Sequence, residues 1–403
     1  MTTEHFQICR AIRHVLTLAP ALAVASCSAV APAREAPDAD PVAAPRVFRP
    51  LAAEGGRLVY HGPIPVVFLQ GSPEEIGRQH AALLGPSATP VLDFPKRFIA
   101  AVGAEAFWPL VVQAGRTLML QAPEPYRREL AAAETHGAID AAMCEVLPVA
   151  NTLLELRRLG CSAVALEDDR TAGDGPLLGR NFDFATLGIL HKYSVVFVVR
   201  PTGKHAFASV GFPGLGGVLS GMNDAGLAVA TLDVERSADK SRKFDPTGTP
   251  LAFVFRRMLE ECTTVDEAEA LLRAEKATTW MNLIVCDVRT AAVLEITPAT
   301  IGRRDPGDGV LRCTNHFRAA GLSVGEKCWR YDRLADAQSS REWNVAGVQR
   351  LMHAVHQDDN TLQTMVFEPR GLRLHLAIGE PPVSALPTTT LDLAPLLAGD
   401  ADE

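Results

Sequence analysis

The feature that most constrains this chain is a pair of short apolar segments joined by a polar turn. Gly160 to Leu166 reads Gly-Cys-Ser-Ala-Val-Ala-Leu, and Gly179 to Phe184 reads Gly-Arg-Asn-Phe-Asp-Phe. Residues 167–175 between them are rich in turn formers, so the pattern predicts two adjacent β-strands. Residues 156–159 read Leu-Arg-Arg-Leu, and basic residues followed by Gly are typical of a helix end. Cys161 is therefore expected where a helix ends and a strand begins.

A cysteine at this junction suits acyl transfer, because a thiolate attacks a carbonyl carbon readily. Arg180 can supply the positive charge that lowers the pKa of a thiol, and Asp183 on the same strand can orient an amine. If the Gly160–Cys161 bond is cut, the new α-amine of Cys161, with an ordinary pKa near neutrality, becomes the base. The structural alternative is a small buried cysteine in an apolar strand, with Arg180 and Asp183 as a plain ion pair.

Gly-Cys-Ser-Ala followed by Gly-Arg-Asn-Phe-Asp-Phe resembles the cysteine N-terminal-nucleophile (Ntn) hydrolases. That group includes isopenicillin N acyltransferase, choloylglycine hydrolases, acid ceramidase and N-acylethanolamine acid amidase. The acyltransferase-like branch is the most similar, and the Met-Asn-x-x-Gly-Leu signature at residues 222–227 also matches. The resemblance implies an α/β fold built as an αββα four-layer sandwich. It also implies self-cleavage between Gly160 and Cys161.

The resemblance assigns catalytic roles to Cys161, Arg180 and Asp183, and to an asparagine that helps to hold the tetrahedral oxyanion. Asn282, which enters a predicted strand, matches that asparagine; the alternative is an Asn that caps the strand edge. Asp233 stands where related enzymes often carry an Asn whose amide helps to form the oxyanion hole. An ionised Asp has no N–H to donate, so Asp233 is expected to bind a polar group of the substrate instead.

Three further residues are expected near the substrate or the oxyanion because they lie in motifs that resemble the family. They are Asn223 in the Met-Asn-x-x-Gly-Leu signature, and Asn315 and His316 in the run Cys-Thr-Asn-His-Phe. His316 is not required as a base, because an N-terminal nucleophile uses its own amine.

The sequence leaves the roles of four further residues open and favours a structural role for a fifth. Arg330 and Arg333 lie on a predicted helix and either bind a carboxylate or are solvated. Cys313 and Cys328 can pair only in an oxidising compartment, which the spacing does not decide. His80, in a well-capped helix, is expected at the surface.

The first residues have the pattern of an export signal. Arg10 and Arg13 precede the apolar run of residues 15–25, and Ser26 follows, directly before Cys27. A basic region, a short apolar region and small residues mark a secretory signal. Small residues before a cysteine resemble a bacterial lipobox, so Cys27 is expected to be lipidated; a plain signal peptide or an uncleaved anchor is the alternative.

The predicted organisation has four parts: a signal peptide with lipobox at 1–27, a disordered tether at 28–48, a mostly helical pro-segment (the alpha fragment) at 49–160, and an Ntn-hydrolase core (the beta fragment) at 161–403. The two fragments are expected to stay associated after cleavage. Capping boxes at Ser72 and Thr264 predict helices through about Leu84 and Ala274.

Apolar spacing predicts further elements in the order of the chain. The run from Phe94 to Leu159 is helical, with breaks near Gly103, Pro109 and residues 123–125, and with periodic segments at 129–141 and 146–158. Strand pairs are predicted at 58–60 and 65–71, 193–200 and 205–210, 219–222 and 227–230, 280–287 and 292–296, and 362–367 and 372–379.

Charge and motif content exclude several classes of function. The net charge is -8 and no basic tract occurs, so nucleic-acid binding is not expected. Eight cysteines among 403 residues are too few for a disulfide scaffold. Metal-ligand spacings and a phosphate-binding loop are both missing from the sequence, so no metal and no cofactor are expected.

These observations predict an exported enzyme, periplasmic or anchored to the outer membrane of a bacterium by lipid alone. It is expected to take a small-molecule amide or acyl substrate and to form a thioester acyl-enzyme. Because acyl-CoA is scarce outside the cytoplasm, hydrolysis of a non-peptide linear amide is favoured. The alternatives are acyl transfer to an amine acceptor, and a non-catalytic binding lipoprotein on the same fold.

Overall fold

The computed structural model describes residues 46–101, 103–152, 155, 160–173 and 175–399. The predicted signal peptide, the lipidation of Cys27, most of the tether and the helix end at 156–159 lie outside these residues. Within them, no helix combines the length and hydrophobicity needed to cross a membrane.

The longest helices lie in the N-terminal part of the chain, and strands dominate the rest. The α-helices are α1 (Pro73–Leu92), α2 (Phe94–Ala101), α3 (Trp108–Met119), α4 (Glu124–Thr135), α5 (Ala141–Asn151), α6 (Leu251–Glu261), α7 (Val265–Ala274), α8 (Trp329–Arg333), α9 (Val345–His353) and α10 (Leu393–Ala398). The first eight strands are β1 (Leu51–Ala53), β2 (Gly56–His61), β3 (Ile64–Gly71), β4 (Gly160–Leu166), β5 (Leu177–Asp183), β6 (Val195–Pro201), β7 (Phe207–Gly211) and β8 (Ser220–Asn223). The other eight are β9 (Ala228–Asp233), β10 (Met281–Cys286), β11 (Ala291–Ile296), β12 (Ile301–Arg304), β13 (Val310–Cys313), β14 (Thr361–Glu368), β15 (Arg373–Ala377) and β16 (Thr389–Asp392).

The described strands form two sheets. The larger sheet has the order β1-β2-β3-β6-β7-β8-β9-β10-β11-β12, and the smaller has the order β13-β4-β5-β14-β15-β16. Neighbouring strands are antiparallel except β3 and β6, which pair in parallel. The N-terminal segment therefore supplies three strands of the larger sheet and is part of the same body as the rest of the chain.

The two sheets pack face to face, and helices cover their outer faces. On the smaller sheet, Leu178 faces the core shared with the larger sheet. Its neighbour Leu177 faces the opposite way and packs with Met352 of α9. This alternation is what a strand buried on both faces requires. Helices α1, α6 and α7 lie against strands of the larger sheet. The expected αββα sandwich is confirmed.

The predicted strand pairs and capping boxes are present. Each predicted pair is an antiparallel hairpin in the structure. Ser72 and Thr264 each accept a hydrogen bond from the backbone three residues on, and Glu75 and Glu267 reciprocate. These elements are predictable because turn formers and caps act locally.

Helix α1 is longer than predicted: it ends at Leu92 rather than near Leu84. Pro86 and Pro90 lie inside it, and each removes a backbone hydrogen bond. The last turns nevertheless bury Val91 and Leu92 against other apolar side chains. Tertiary packing of this kind outweighs local propensity.

The predicted periodic segments at 129–141 and 146–158 do not coincide with α4 and α5. Helix α4 ends at Thr135, and Gly137 follows with a φ of 82°, which favours glycine. Helix α5 starts at Ala141, where the Asp140 carboxylate accepts a hydrogen bond from the Met143 amide. Pro109 begins a helix instead of breaking one, because it lies in the first turn of α3.

His80 is half-buried rather than exposed at the surface, contrary to expectation. Its ring packs against Phe197 with 5.1 Å between ring centroids, and Nε2 accepts a hydrogen bond of 3.0 Å from the Gly214 amide. Burial, aided by the positive charge of Arg256, lowers the pKa of His80 to about 4. The neutral ring therefore serves as a structural acceptor between the two predicted fragments.

A buried ion-pair network also joins the N-terminal helices to the core. Arg256 of α6 donates to both carboxylate oxygens of Glu129 on α4, at 2.8 and 2.7 Å. It also donates to Glu260 at 2.8 Å, and Glu260 accepts from the Tyr126 hydroxyl at 2.9 Å. Because Arg256 and Glu129 are both buried, the charge of each must be compensated by the charge of the other.

Replacing Glu129 by Ala leaves Arg256 with one fewer buried counter-charge, and we expect a loss of about 3–5 kcal/mol in the free energy of unfolding. The control is Glu124→Ala on the same helix, because Glu124 makes only an exposed pair with Arg128. That change should cost less than about 1 kcal/mol. Urea unfolding followed by circular dichroism measures both, and equal losses would contradict the argument.

Candidate active site

The strand register places Cys161 and Arg180 on one face of the smaller sheet. Cys161 of β4 lies opposite Phe182 of β5, and Arg180 is two residues before Phe182. Side chains two residues apart on a strand point to the same face. Asp183 is one residue beyond Phe182 and lies opposite Gly160, at the end of the strand pair. The site is thus built where β4 begins and β5 ends.

Arg180 contacts the thiol directly. Its Nη2 lies 3.3 Å from the Cys161 sulfur, and its Nη1 donates to the Leu219 carbonyl at 2.8 Å and to the Ser220 hydroxyl. Both Arg180 and Cys161 are fully buried. Burial raises the pKa of the Cys161 thiol, and the Arg180 charge opposes that rise. Arg180 is therefore positioned to stabilise a thiolate.

Asp183 is held by two donors of its own. Its Oδ1 accepts from the Thr361 hydroxyl at 2.6 Å, and its Oδ2 accepts from the Gln357 amide at 2.7 Å. Arg330 lies 3.7 Å from Oδ2. Burial raises the pKa of Asp183, although Arg330 and these hydrogen bonds oppose the rise. The carboxylate is fixed at the strand end beside the start of β4.

Asn315 and Arg330 fix the backbone of Cys161. The Cys161 amide donates to Oδ1 of Asn315 at 2.9 Å, and Arg330 donates to the same oxygen at 2.9 Å. Arg330 also donates to the Cys161 carbonyl at 2.5 Å. Asn315 in turn donates to the backbone carbonyl of Asp233, at the end of β9. The nitrogen of Cys161 is therefore anchored to both sheets.

Arg330 and Arg333, the two arginines with open interpretations, differ in burial and in partners. Arg330 is fully buried and contacts the Asp183 carboxylate, which settles its two interpretations in favour of carboxylate binding. Arg333 is more than half exposed and pairs with Asp336. Arg330 therefore belongs to the site, although no local sequence feature ranks it above Arg333.

Asn282 does not reach the site in the expected way. Its side-chain nitrogen donates to the carbonyls of Thr314 and His316, at 2.9 and 3.1 Å. Both amide hydrogens are used, so none is available for an oxyanion. Asn282 instead supports the backbone on either side of Asn315, which makes it a positioning residue.

Asn223 is at the opposite end of its hairpin from the site. Its side-chain nitrogen donates to the carbonyls of Leu259 and Cys262, and its oxygen accepts from the Leu227 amide. These bonds close the turn between β8 and β9, whereas Asp233 ends β9 on the far side. The expected substrate contact of Asn223 is thus replaced by a structural role in the turn.

His316 belongs to a second polar cluster behind Asn315. Its Nδ1 lies 2.9 Å from a Glu326 oxygen, and the ring is hydrogen-bonded to Cys328. Burial opposes ionisation of Cys328, but His316 and then Arg330 outweigh it and lower the pKa of this thiol to about 6. Cys313 and Cys328 are both free thiols in the structure.

An apolar cavity of about 70 Å³ lies beside the site. Phe182, the strand partner of Cys161, lines it, as does Leu219, whose carbonyl binds Arg180. Phe94 of α2 and Asn151 of α5 contribute from the N-terminal helices. In the part of the chain that the structure describes, no cluster of three metal-binding side chains occurs.

A buried thiol beside a guanidinium, with its own nitrogen fixed at a possible cleavage point, is the arrangement of a cysteine N-terminal nucleophile. The profile of the acyl-coenzyme A:6-aminopenicillanic acid acyl-transferase family matches residues 170–382, more than half of the chain. The chain belongs to this family of Ntn hydrolases. The matched range includes Arg180, Asp183, Asn315 and Arg330.

Individual proteins that are similar to this chain have low sequence identity to it. An uncharacterized protein of Archaeoglobus fulgidus is 23% identical over 328 residues, which cover 67% of this chain and 54% of that protein. The chain thus spans about half the length of this curated relative. A mutant conjugated bile acid hydrolase from Clostridium perfringens is 15% identical, with a TM-score of 0.43, and the match covers 58% of this chain and 92% of that one. An N-acylethanolamine-hydrolyzing acid amidase ortholog from Caenorhabditis elegans is 16% identical, with a TM-score of 0.42. That match covers 57% of this chain and 100% of the other.

Replacing Arg180 by Met should raise the pKa of Cys161 further, because the charge that favours the thiolate is lost. Below that pKa the thiolate fraction falls about tenfold for each unit by which the pKa rises. Alkylation of Cys161 by iodoacetamide should slow accordingly, and its pH profile should move to higher pH. The labelled Cys161 peptide is quantified by mass spectrometry.

The matched control for this experiment is Arg312→Met, because the Arg312 guanidinium lies over the Tyr331 ring instead. Alkylation of Cys161 should keep its rate and profile in the control. An unchanged profile in Arg180→Met, with the fold intact by circular dichroism, would overturn the assigned role of Arg180.

Proposed function

We propose that this protein is an exported, self-processing cysteine amidohydrolase that cleaves non-peptide linear amides through a thioester. The observation that carries the proposal is the position of Cys161: its sulfur contacts Arg180, and its nitrogen is held by Asn315. A nucleophile and its own potential base are thereby fixed on one residue.

The first step is cleavage of the chain itself. The Cys161 sulfur attacks the Gly160 carbonyl, the carbon–nitrogen bond between the two residues breaks, and the thiol proton passes to the leaving nitrogen. The product is a thioester of Gly160 on the Cys161 sulfur. Water then hydrolyses the thioester, which leaves a carboxylate on Gly160 and a free amine and thiol on Cys161.

The second reaction uses the freed amine as the base. It takes the thiol proton as the sulfur attacks the substrate amide, and it returns the proton to the leaving amine. The acyl group remains on sulfur until water displaces it. Arg180 stabilises the thiolate, and Asn315 and Arg330 hold the amine and the carbonyl of Cys161 in place. Asp183 orients Arg330 and the end of β5.

The apolar cavity supports an apolar acyl group as the part of the substrate next to the nucleophile. Phe182 and Leu219 link this cavity to Cys161 and Arg180, and most of its lining is aliphatic or aromatic. Burial of such a group in this lining is favourable by about 25 cal/mol per Å². A polar group of the substrate is proposed to bind near Asp233, at the end of β9.

The two fragments are proposed to remain together after cleavage. Strand β3 pairs in parallel with β6, and the Arg256–Glu129 pair crosses the same division. The export signal and the lipidation of Cys27 are proposed from the sequence. Lipid attachment at Cys27 would hold the assembled enzyme at a membrane.

Acyl transfer to an amine is the second candidate, and the name of the family favours it. Both reactions share every step up to the acyl-enzyme. Added amines distinguish them: a transferase forms the new amide at the expense of hydrolysis, whereas a hydrolase continues to release the free acid. An amine such as hydroxylamine, with its product quantified by mass spectrometry, makes the comparison.

The test of the proposal is the intact mass of the purified protein beside Cys161→Ala. We expect two fragments that co-elute in gel filtration, with Cys161 at the start of the larger, and one unbroken chain in the variant. The loss of cleavage should be complete, because the nucleophile is removed. An uncut wild-type chain without amidase activity would instead support the non-catalytic binding lipoprotein.

A further inference from the structure

The position of Gly160 has room for a side chain only if Gln357 moves. A Cβ atom built there overlaps the side-chain nitrogen of Gln357 and lies 3.2 Å from Cβ of Asp183. Gly160 pairs with Asp183 in ordinary strand register, so its backbone conformation does not require glycine. The restriction is therefore one of space, and Gln357 imposes it.

Gln357 is held in this position by a connected set of hydrogen bonds. Its side-chain nitrogen donates to Oδ2 of Asp183 at 2.7 Å, and its backbone N–H donates to the Thr361 hydroxyl at 2.8 Å. The same hydroxyl donates to Oδ1 of Asp183 at 2.6 Å. If Gln357 moves aside, a buried carboxylate loses a donor, so the side chain resists displacement.

The same position matters twice in the proposed function, on which this inference rests. Self-cleavage produces a thioester between the Gly160 carbonyl and the Cys161 sulfur. Substrate turnover produces a thioester between the acyl carbonyl and the same sulfur. In the two species the Gly160 Cα and the carbon next to the substrate carbonyl are chemically equivalent, and they share the same nucleophile.

We propose that Gln357 is a specificity-determining residue that admits only an unbranched carbon next to the reacting carbonyl. It restricts residue 160 to glycine during self-cleavage. In the mature enzyme it selects acyl groups with a CH₂ at that carbon and excludes those with a substituent in the position of an L-amino-acid side chain. The substrates are thus simple acyl amides rather than amides of L-amino acids.

Self-cleavage tests the first half without any substrate. We expect Gly160→Ala to slow cleavage at least about tenfold, which is the usual effect of one misplaced methyl group in a tight site. Adding Gln357→Ala to that variant should restore most of the rate. The control is Gly160→Ala with Gln349→Ala, because Gln349 is also half-buried but donates to Leu386 instead. Intact mass against time measures cleavage of the wild-type chain and of these three variants.

A matched set of fluorogenic anilides tests the second half. The acyl groups are octanoyl and the two enantiomers of 2-methyloctanoyl. The mature protein should hydrolyse octanoyl fastest, and should disfavour at least about tenfold the enantiomer whose methyl group has the position of an L-alanine side chain. Gln357→Ala should reduce that ratio of kcat/KM, and Gln349→Ala should leave it unchanged.

The outcomes separate this inference from the proposed function. Cleaved protein that hydrolyses octanoyl and both enantiomers equally, or a Gly160→Ala chain that Gln357→Ala does not rescue, would overturn the role of Gln357 alone. Failure of wild-type protein to cleave itself and to hydrolyse any of the anilides would count against the proposed function.

Discussion

The arrangement of the site depends on the contacts of the fully buried Arg330 guanidinium. It joins the Cys161 carbonyl, the Asn315 side chain and the Asp183 carboxylate, which come from three separate parts of the chain. A buried cation needs counter-charge and acceptors around it, so these groups hold one another in place. Asn315 extends the network to the end of β9 in the other sheet. Cys161 is therefore positioned by the packing of the two sheets and not by its own strand alone.

Much of this architecture could be predicted from local sequence. The β4–β5 hairpin follows from two apolar segments around a turn, and the register then places Cys161 and Arg180 on one face. Capping boxes fixed the starts of α1 and α7 for the same reason, since side chain and backbone lie within one helical turn. The family motifs led to Cys161, Arg180 and Asp183, which the structure brings together.

The remainder depends on contacts between residues far apart in sequence. Asn282 lies at the start of β10 and Asn315 follows β13, both in motifs that resemble the family. Only the Asn315 side chain accepts a hydrogen bond from the Cys161 amide. No sequence motif marks Gln357, because its proposed role depends on its side chain lying where a Cβ of residue 160 would be. His80 is predicted at the surface from its capped helix alone, but Phe197 packs against its ring and the Gly214 amide donates to it. Tertiary packing decides such cases, and single-sequence patterns do not encode it.

The chemistry of the Cys161 nitrogen explains why cleavage and activity would be linked. In the uncleaved chain this nitrogen is an amide, which donates its hydrogen to Asn315 and has no basic lone pair. Burial raises the pKa of the thiol, so the neutral thiol is favoured until a base is available. The proposed cleavage would convert the same atom into an amine, and the Asn315 oxygen that accepts the amide hydrogen could then accept one from the amine. That amine would retain a lone pair that can take the thiol proton, so cleavage would create the base without moving the groups that hold Cys161.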